Sequence, residues 1–127
     1  MKLTHNPDAS VEFQYRVEPH SPGLKAAVDA IRSWPRMAEL ASLALSRHGY
    51  SSTDSYCGIT YPTDLDEMDR THRESIPRGF IEAYAGYGDP NVEAHLVSES
   101  EYLELLRQFL IINGLQDDAN RIKKPLE

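Results

Sequence analysis

Three sets of side chains in this chain have types that could do chemistry. The first is the single cysteine, Cys57, with five histidines at 5, 20, 48, 72 and 95. A thiol beside an imidazole is a nucleophile with its base, and His72 is the nearest downstream histidine to Cys57. No basic group or helix start flanks Cys57 to lower its thiol pKa, so a core cysteine is the expected role. The histidines form neither His-x-His nor His-x-x-x-His, so a zinc site would need distant ligands. The second set is Asp64-x-Asp66-Glu67-x-Asp69, four carboxylates in six positions. Cation binding there would need the glycine and distal glutamate of a calcium loop, which this run lacks. General acid–base work would need a pocket that raises one of these pKa values. No catalytic residue and no metal ligand is assigned, and no cofactor is expected. The glycine-rich phosphate loops and the Gly-x-Ser-x-Gly elbow are absent from the sequence.

The third set is seven tyrosines, at 15, 50, 56, 61, 84, 87 and 102, several of them interleaved with acids. Tyrosine joins apolar area to a polar tip and is enriched at protein interfaces. Stacking on nucleic-acid bases would need nearby Lys or Arg, which this stretch lacks.

Charge sharpens that contrast. The 127 residues carry 20 acids against 13 Lys and Arg, a formal charge of −7. Residues 1–50 and residues 107–127 are each +1, whereas residues 51–106 hold twelve acids and three bases, or −9. Such a balance disfavours nucleic acid and anionic membrane as partners and favours a basic protein. The expected partner-binding surface comprises Asp54, Asp64, Asp66, Glu67, Asp69, Glu82, Tyr84, Tyr87, Asp89 and Glu93.

The elements that must position these side chains are legible in part. Val11, Phe13, Tyr15 and Val17 alternate with polar residues and predict a strand over 11–18, ended by Pro19. Ser21-Pro22 starts a helix over 22–34, whose apolar stripe is Leu24, Ala27, Val28, Ile31 and Trp34. Pro35 breaks it, and a second helix is expected over 35–48 with Gly49 as its cap. Residues 49–55 read as a loop and 56–61 as a short strand that Gly58 weakens. Residues 63–78 are compatible with either a surface helix or a loop. Strands over 80–87 and 92–97, joined through Gly88-Asp89-Pro90-Asn91, predict an antiparallel hairpin. In it Ile81, Ala83, Ala85 and Tyr87 share one face, and Phe80, Glu82 and Tyr84 the other. Ser98 and Glu101 form a capping box for a helix over 99–113, apolar nearly all round and followed by Gly114. That breadth predicts burial or a homodimer through this helix. Residues 116–124 add a short last helix.

One domain over 1–127 is expected, of the α+β class: a mostly antiparallel sheet of about four strands with helices on one face. The polar start and the lack of any membrane-length apolar run predict a cytoplasmic protein.

Ile76-Pro77-Arg78-Gly79-Phe80-Ile81-Glu82-Ala83-Tyr84, followed by Ser98-Glu99-Ser100-Glu101-Tyr102-Leu103-Glu104-Leu105-Leu106, resembles the hairpin-then-helix ending of some bacterial immunity proteins. These belong to contact-dependent inhibition and related polymorphic toxin systems. The resemblance implies a stoichiometric inhibitor whose partner is a cognate toxin domain, often a nuclease with a basic groove. Carboxylates between residues 54 and 93 would pair with the cations that normally hold phosphates. The alternatives are a small hydrolase or metal-dependent enzyme using His72 or His95, and a homo-oligomeric adaptor built on helix 99–113.

Overall fold

The computed structural model describes residues 1–10, 14–52, 57–62, 76–85 and 94–126. Two antiparallel sheets and four α-helices make up these residues, an α+β fold. The N-terminal sheet pairs β1 (Lys2–His5) with β2 (Tyr15–Glu18), Leu3 opposite Val17. The larger sheet contains β3 (Tyr50–Ser52), β4 (Cys57–Thr60), β5 (Phe80–Ala85) and β6 (His95–Ser98), antiparallel and in chain order. The helices are α1 (Pro22–Ser33), α2 (Leu40–Leu45, preceded by a 3₁₀ turn at Met37–Glu39), α3 (Glu99–Ile112) and α4 (Gln116–Leu126).

Four expectations change here. The strand expected over 11–18 begins at Tyr15, with 11–13 outside the described residues, and it pairs with β1 rather than joining the larger sheet. The fourth strand of that sheet is instead β3, in a stretch read as loop. Its hydrogen bonds to β4 outweigh its serine-rich composition. The second helix is much shorter than 35–48, and Arg47, not Gly49, takes the left-handed conformation at its end (φ 55°). The His48 amide then bonds back to the Leu43 carbonyl at 2.9 Å, closing the last turn. The second hairpin strand starts at His95 rather than at 92, while the first is described as far as Ala85, with 86–93 outside the described residues.

α1 starts as its sequence dictates. The Ser21 hydroxyl accepts from the Leu24 amide at 3.4 Å, and Pro22 takes the first helical position. It stops at Trp34, whose extended backbone is what a following proline imposes. It lies across the larger sheet, and burial extends around it far beyond the expected stripe, to Ala26, Ala30 and Asp29. Asp29, 2% exposed, accepts from Lys25 Nζ at 2.9 and 3.0 Å and from Arg32 Nε at 2.9 Å. Asp29→Ala removes the carboxylate that these two cations share. Because both cations keep some access to water, the expected loss is about 1–3 kcal/mol. Urea denaturation measures it, and Asp29→Asn should retain part of the stability.

α3 begins with the expected box. The Ser98 hydroxyl accepts from the Glu101 amide at 3.2 Å and donates to the Glu101 carboxylate at 3.0 Å. Tyr102, Leu105, Leu106, Phe109 and Leu110 are all buried, packed with α1, α4 and β1. The breadth of its apolar surface thus serves the chain's own core, and Ile111 is its large exposed apolar side chain, at 38%. Gln108 fastens the N-terminal sheet to α3, accepting from the Leu3 amide at 2.6 Å and donating to the Met1 carbonyl at 3.2 Å.

Candidate functional site

Strand parity divides the larger sheet into two faces. Ile81 and Ala83 on β5 pair with Val97 and His95 on β6, and Ala83 pairs with Ile59 on β4, which pairs with Tyr50. These side chains point toward α1 and α3. Gly23 at the start of α1 comes so close to β6 that a Cβ there would meet the Val97 side chain at 2.9 Å and His95 Cβ at 3.3 Å. The direction of His95 is therefore fixed, toward the start of α1. Cys57, 1% exposed, belongs to the core as expected.

This inner layer holds a buried phenol pair. The hydroxyls of Tyr50 and Tyr102 lie 2.9 Å apart, Trp34 tilts against Tyr50 at 5.2 Å, and Tyr61 meets Tyr102 edge-on at 6.4 Å. Burial is the main force pushing both phenols well above the usual tyrosine range. The folded chain therefore keeps these protons after an unfolded chain has begun to release them. This stabilisation is complete below about pH 10 and is lost as pH rises beyond it. The expected result is a denaturation midpoint that falls steeply above about pH 10, with two tyrosines ionising only as the fold opens. Tyrosinate absorbance followed beside circular dichroism checks this. Ionisation of every tyrosine in a folded chain would contradict it.

Two of the sequence-named residues meet on the opposite face. Glu82 and Tyr84 stand together on it, each half-buried, with Phe80 on the same side of β5 as expected. Glu82 is opposite Thr60 on β4 and Leu96 on β6, Tyr84 is opposite Gly58, and Phe80 is opposite Ser98. Phe80 is 39% exposed and Leu96 55%. They are diagonal neighbours, so their side chains stand about 7–8 Å apart at Cα. Leu96 is absent from the sequence-based set. The signal that finds it is the parity of β6, because an inward Val97 forces Leu96 outward.

Gly58 gives this face a fixed feature. A Cβ on it would lie 2.5 Å from Tyr84 Oη and 2.8 Å from the Tyr50 carbonyl oxygen. The Tyr84 phenol therefore lies across the glycine, in space that any other residue would fill. The glycine that reads as a weakness in the strand admits the ring.

The charge division of the sequence is also structural. All four strands of the larger sheet fall at residues 50–98, so the −9 stretch is the sheet with its connections and the opening of α3. Of the sequence-named residues, Asp54, Asp64, Asp66, Glu67, Asp69, Tyr87, Asp89 and Glu93 lie outside the described residues, as do His72 and most of 63–78. Among the described residues no group of three His, Cys, Asp or Glu could hold a metal ion, and no helix is long and apolar enough to cross a membrane. A recess of about 320 Å³ at the N-terminal sheet is lined by Thr4, Asn6, Ala9, Gln14 and Arg16, with no cysteine, histidine or carboxylate among them. Comparison with family models, with curated proteins and with solved structures finds no match to this chain.

Proposed function

We propose that this chain is an immunity-type binding protein that neutralises a cognate toxin domain by occluding a basic active site. The observation that carries the reading is the outer face of the larger sheet. An acid (Glu82) and an aromatic (Tyr84) stand there beside exposed apolar side chains, on the part of the chain that holds the whole negative excess. Exposed apolar side chains beside an acid and an aromatic are the composition of a docking surface rather than of a solvated face. Like-signed charge over the sheet unit would speed encounter with a cationic groove and reject acidic partners. The basic, nuclease-like character of the toxin and a cytoplasmic site of action belong to this proposal.

Binding is tested by capturing a partner on the immobilised protein, then reconstituting the pair. The expected result is a 1:1 complex in which the toxin's activity is lost. Replacing Asp64, Asp66, Glu67 and Asp69 with Asn or Gln should slow association and flatten its dependence on salt. Stopped-flow rates measured across a range of ionic strength decide this, and an unchanged slope removes these four from the surface.

A further inference from the structure

We infer that Asn113–Gly114, at the end of α3, is a conformationally gated deamidation site. The folded helix terminus holds the pair inert. Its local opening lets Asn113 convert to aspartate or isoaspartate, with water as the co-reactant. The inference is independent of the proposed binding role.

The chain has asparagines at 6, 91, 113 and 120, followed by Pro7, Val92, Gly114 and Arg121. Deamidation starts when the backbone nitrogen of the following residue attacks the side-chain amide carbon. Proline has no N–H to lose, and a side chain on the follower hinders the approach, so glycine reacts most readily. At Asn113 the Gly114 nitrogen gives up its proton and bonds to Cγ, and Nδ2 leaves as ammonia. The product is a five-membered succinimide. Water then opens the ring. Cleavage between Cγ and the nitrogen gives aspartate, and cleavage between the main-chain carbonyl carbon and the nitrogen gives isoaspartate. No oxidant or reductant takes part.

Three features of the fold hold this reaction back. First, ψ at Asn113 is 13°, so the Gly114 nitrogen nearly eclipses the Asn113 nitrogen about the Cα–C bond. Ring closure needs it to eclipse Cβ instead, and the nucleophile is therefore turned away from Cγ. Second, its N–H is engaged. The Gly114 amide donates to the Ile111 carbonyl at 3.1 Å and the Leu115 amide to that of Leu110 at 2.8 Å. These two bonds close a helix end around a left-handed glycine, here at φ 80°. Third, the amide under attack is itself held. Asn113 Nδ2 donates to the Phe109 carbonyl at 2.8 Å and to Tyr15 Oη at 3.2 Å. Crowding gives no protection: among the described residues, a Cβ on Gly114 would meet nothing within 4 Å beyond its chain neighbours. Opening of this one helix end, without global unfolding, therefore exposes the pair to reaction.

The product does not restore the same cap. A carboxylate lacks the Nδ2 donor and stands at the negative end of the helix. Isoaspartate also adds a methylene to the main chain within the turn. The tie from α3 to Tyr15 on β2 loses its amide donor in either case.

The test incubates the full chain in mildly alkaline buffer, with and without denaturing urea. Peptide-mapping mass spectrometry follows every asparagine and resolves aspartate from isoaspartate. In urea Asn113 should convert before the other asparagines, and Gly114→Ala should slow it severalfold there, where the folded φ no longer matters. In the native chain Asn113 should convert at least about tenfold more slowly than in urea. Tyr15→Phe keeps the ring but removes one partner of the amide. It should raise the native rate about fivefold, the effect of one hydrogen bond, with hydrogen exchange at Ile59 and Ile81 unchanged. The converted chain should show faster exchange at the Leu115 amide. Equal rates in buffer and urea, faster conversion of another asparagine in urea, or no effect of Gly114→Ala there overturns the inference. So does a native rate that Tyr15→Phe leaves unchanged, or raises only together with exchange at Ile59 and Ile81. A Leu115 amide as protected after conversion as before would contradict the loss of the cap.

Discussion

Gly58→Ala should both destabilise the protein and disturb its proposed docking face. The added methyl must enter a space bounded by Tyr84 Oη at 2.5 Å and the Tyr50 carbonyl oxygen at 2.8 Å. The phenol can swing away, but the carbonyl belongs to β3, whose Ser51 pairs with Gly58 itself. Relief therefore comes from ejecting Tyr84 from its seat and from prising β3 off β4. Overpacking of this kind costs about 1–3 kcal/mol, against the small gain that alanine normally brings over glycine in a strand. Two measurements separate the parts. Urea denaturation reads the stability loss. Tyrosine fluorescence or side-chain NMR reads the freed ring. Gly58→Ala combined with Tyr84→Ala should recover part of the stability, because one of the two clashes is gone. A single variant as stable as the wild type would show that the close approach of ring and strand is not maintained in solution.

A larger loss is expected from Phe109→Ala. Phe109 is 1% exposed, its ring meets Tyr15 at 5.2 Å, and it lies on the face of α3 that carries the N-terminal sheet. Truncation removes the transfer free energy of a full aromatic side chain and leaves a cavity that the helix cannot close, about 3–5 kcal/mol in all. Tyr15 loses its contact with α3's aromatic ring, while its stack on His5 and its link to Asn113 remain, so the N-terminal sheet should loosen before the larger sheet does. Urea denaturation gives the total. Hydrogen exchange should show faster exchange at Leu3 and Val17 than at Ile59 and Ile81. Uniform loss across both sheets would mean that the two unfold as one unit.

The parts of the fold legible in the sequence are those with local chemical causes. Ser21-Pro22 and the proline after Trp34 bracket α1, and the Ser98–Glu101 box and Gly114 bracket α3, because caps and breakers act within a turn of the backbone. The parity of β5 is equally local, and it correctly divides Ile81 and Ala83 from Phe80, Glu82 and Tyr84. What escapes notice is what distant residues decide. β1 offers one buried residue, Leu3, and owes its place to β2 and to Gln108, 105 positions away. β3 is a strand because β4 bonds to it. Arg47 rather than Gly49 closes α2 because the chain must turn there toward β3. The candidate site shows the same division. Glu82 and Tyr84 follow from alternation along β5, whereas Leu96 comes beside them only through the pairing of β6 with β5. The reason for Gly58 likewise appears only when Tyr84 is brought against it.

A basic protein partner docked on the outer face of the larger sheet, as proposed, would cover the side chains of Phe80, Tyr84 and Leu96. Hydroxyl-radical footprinting of the chain, free and in complex with the toxin domain proposed as its partner, reads side-chain access rather than affinity. The expected result is strong protection of Phe80, Tyr84 and Leu96 in a 1:1 complex, with Ile111 and Leu45 oxidised as in the free chain. Protection at Ile111 or Leu45, with Phe80, Tyr84 and Leu96 unchanged, would contradict it.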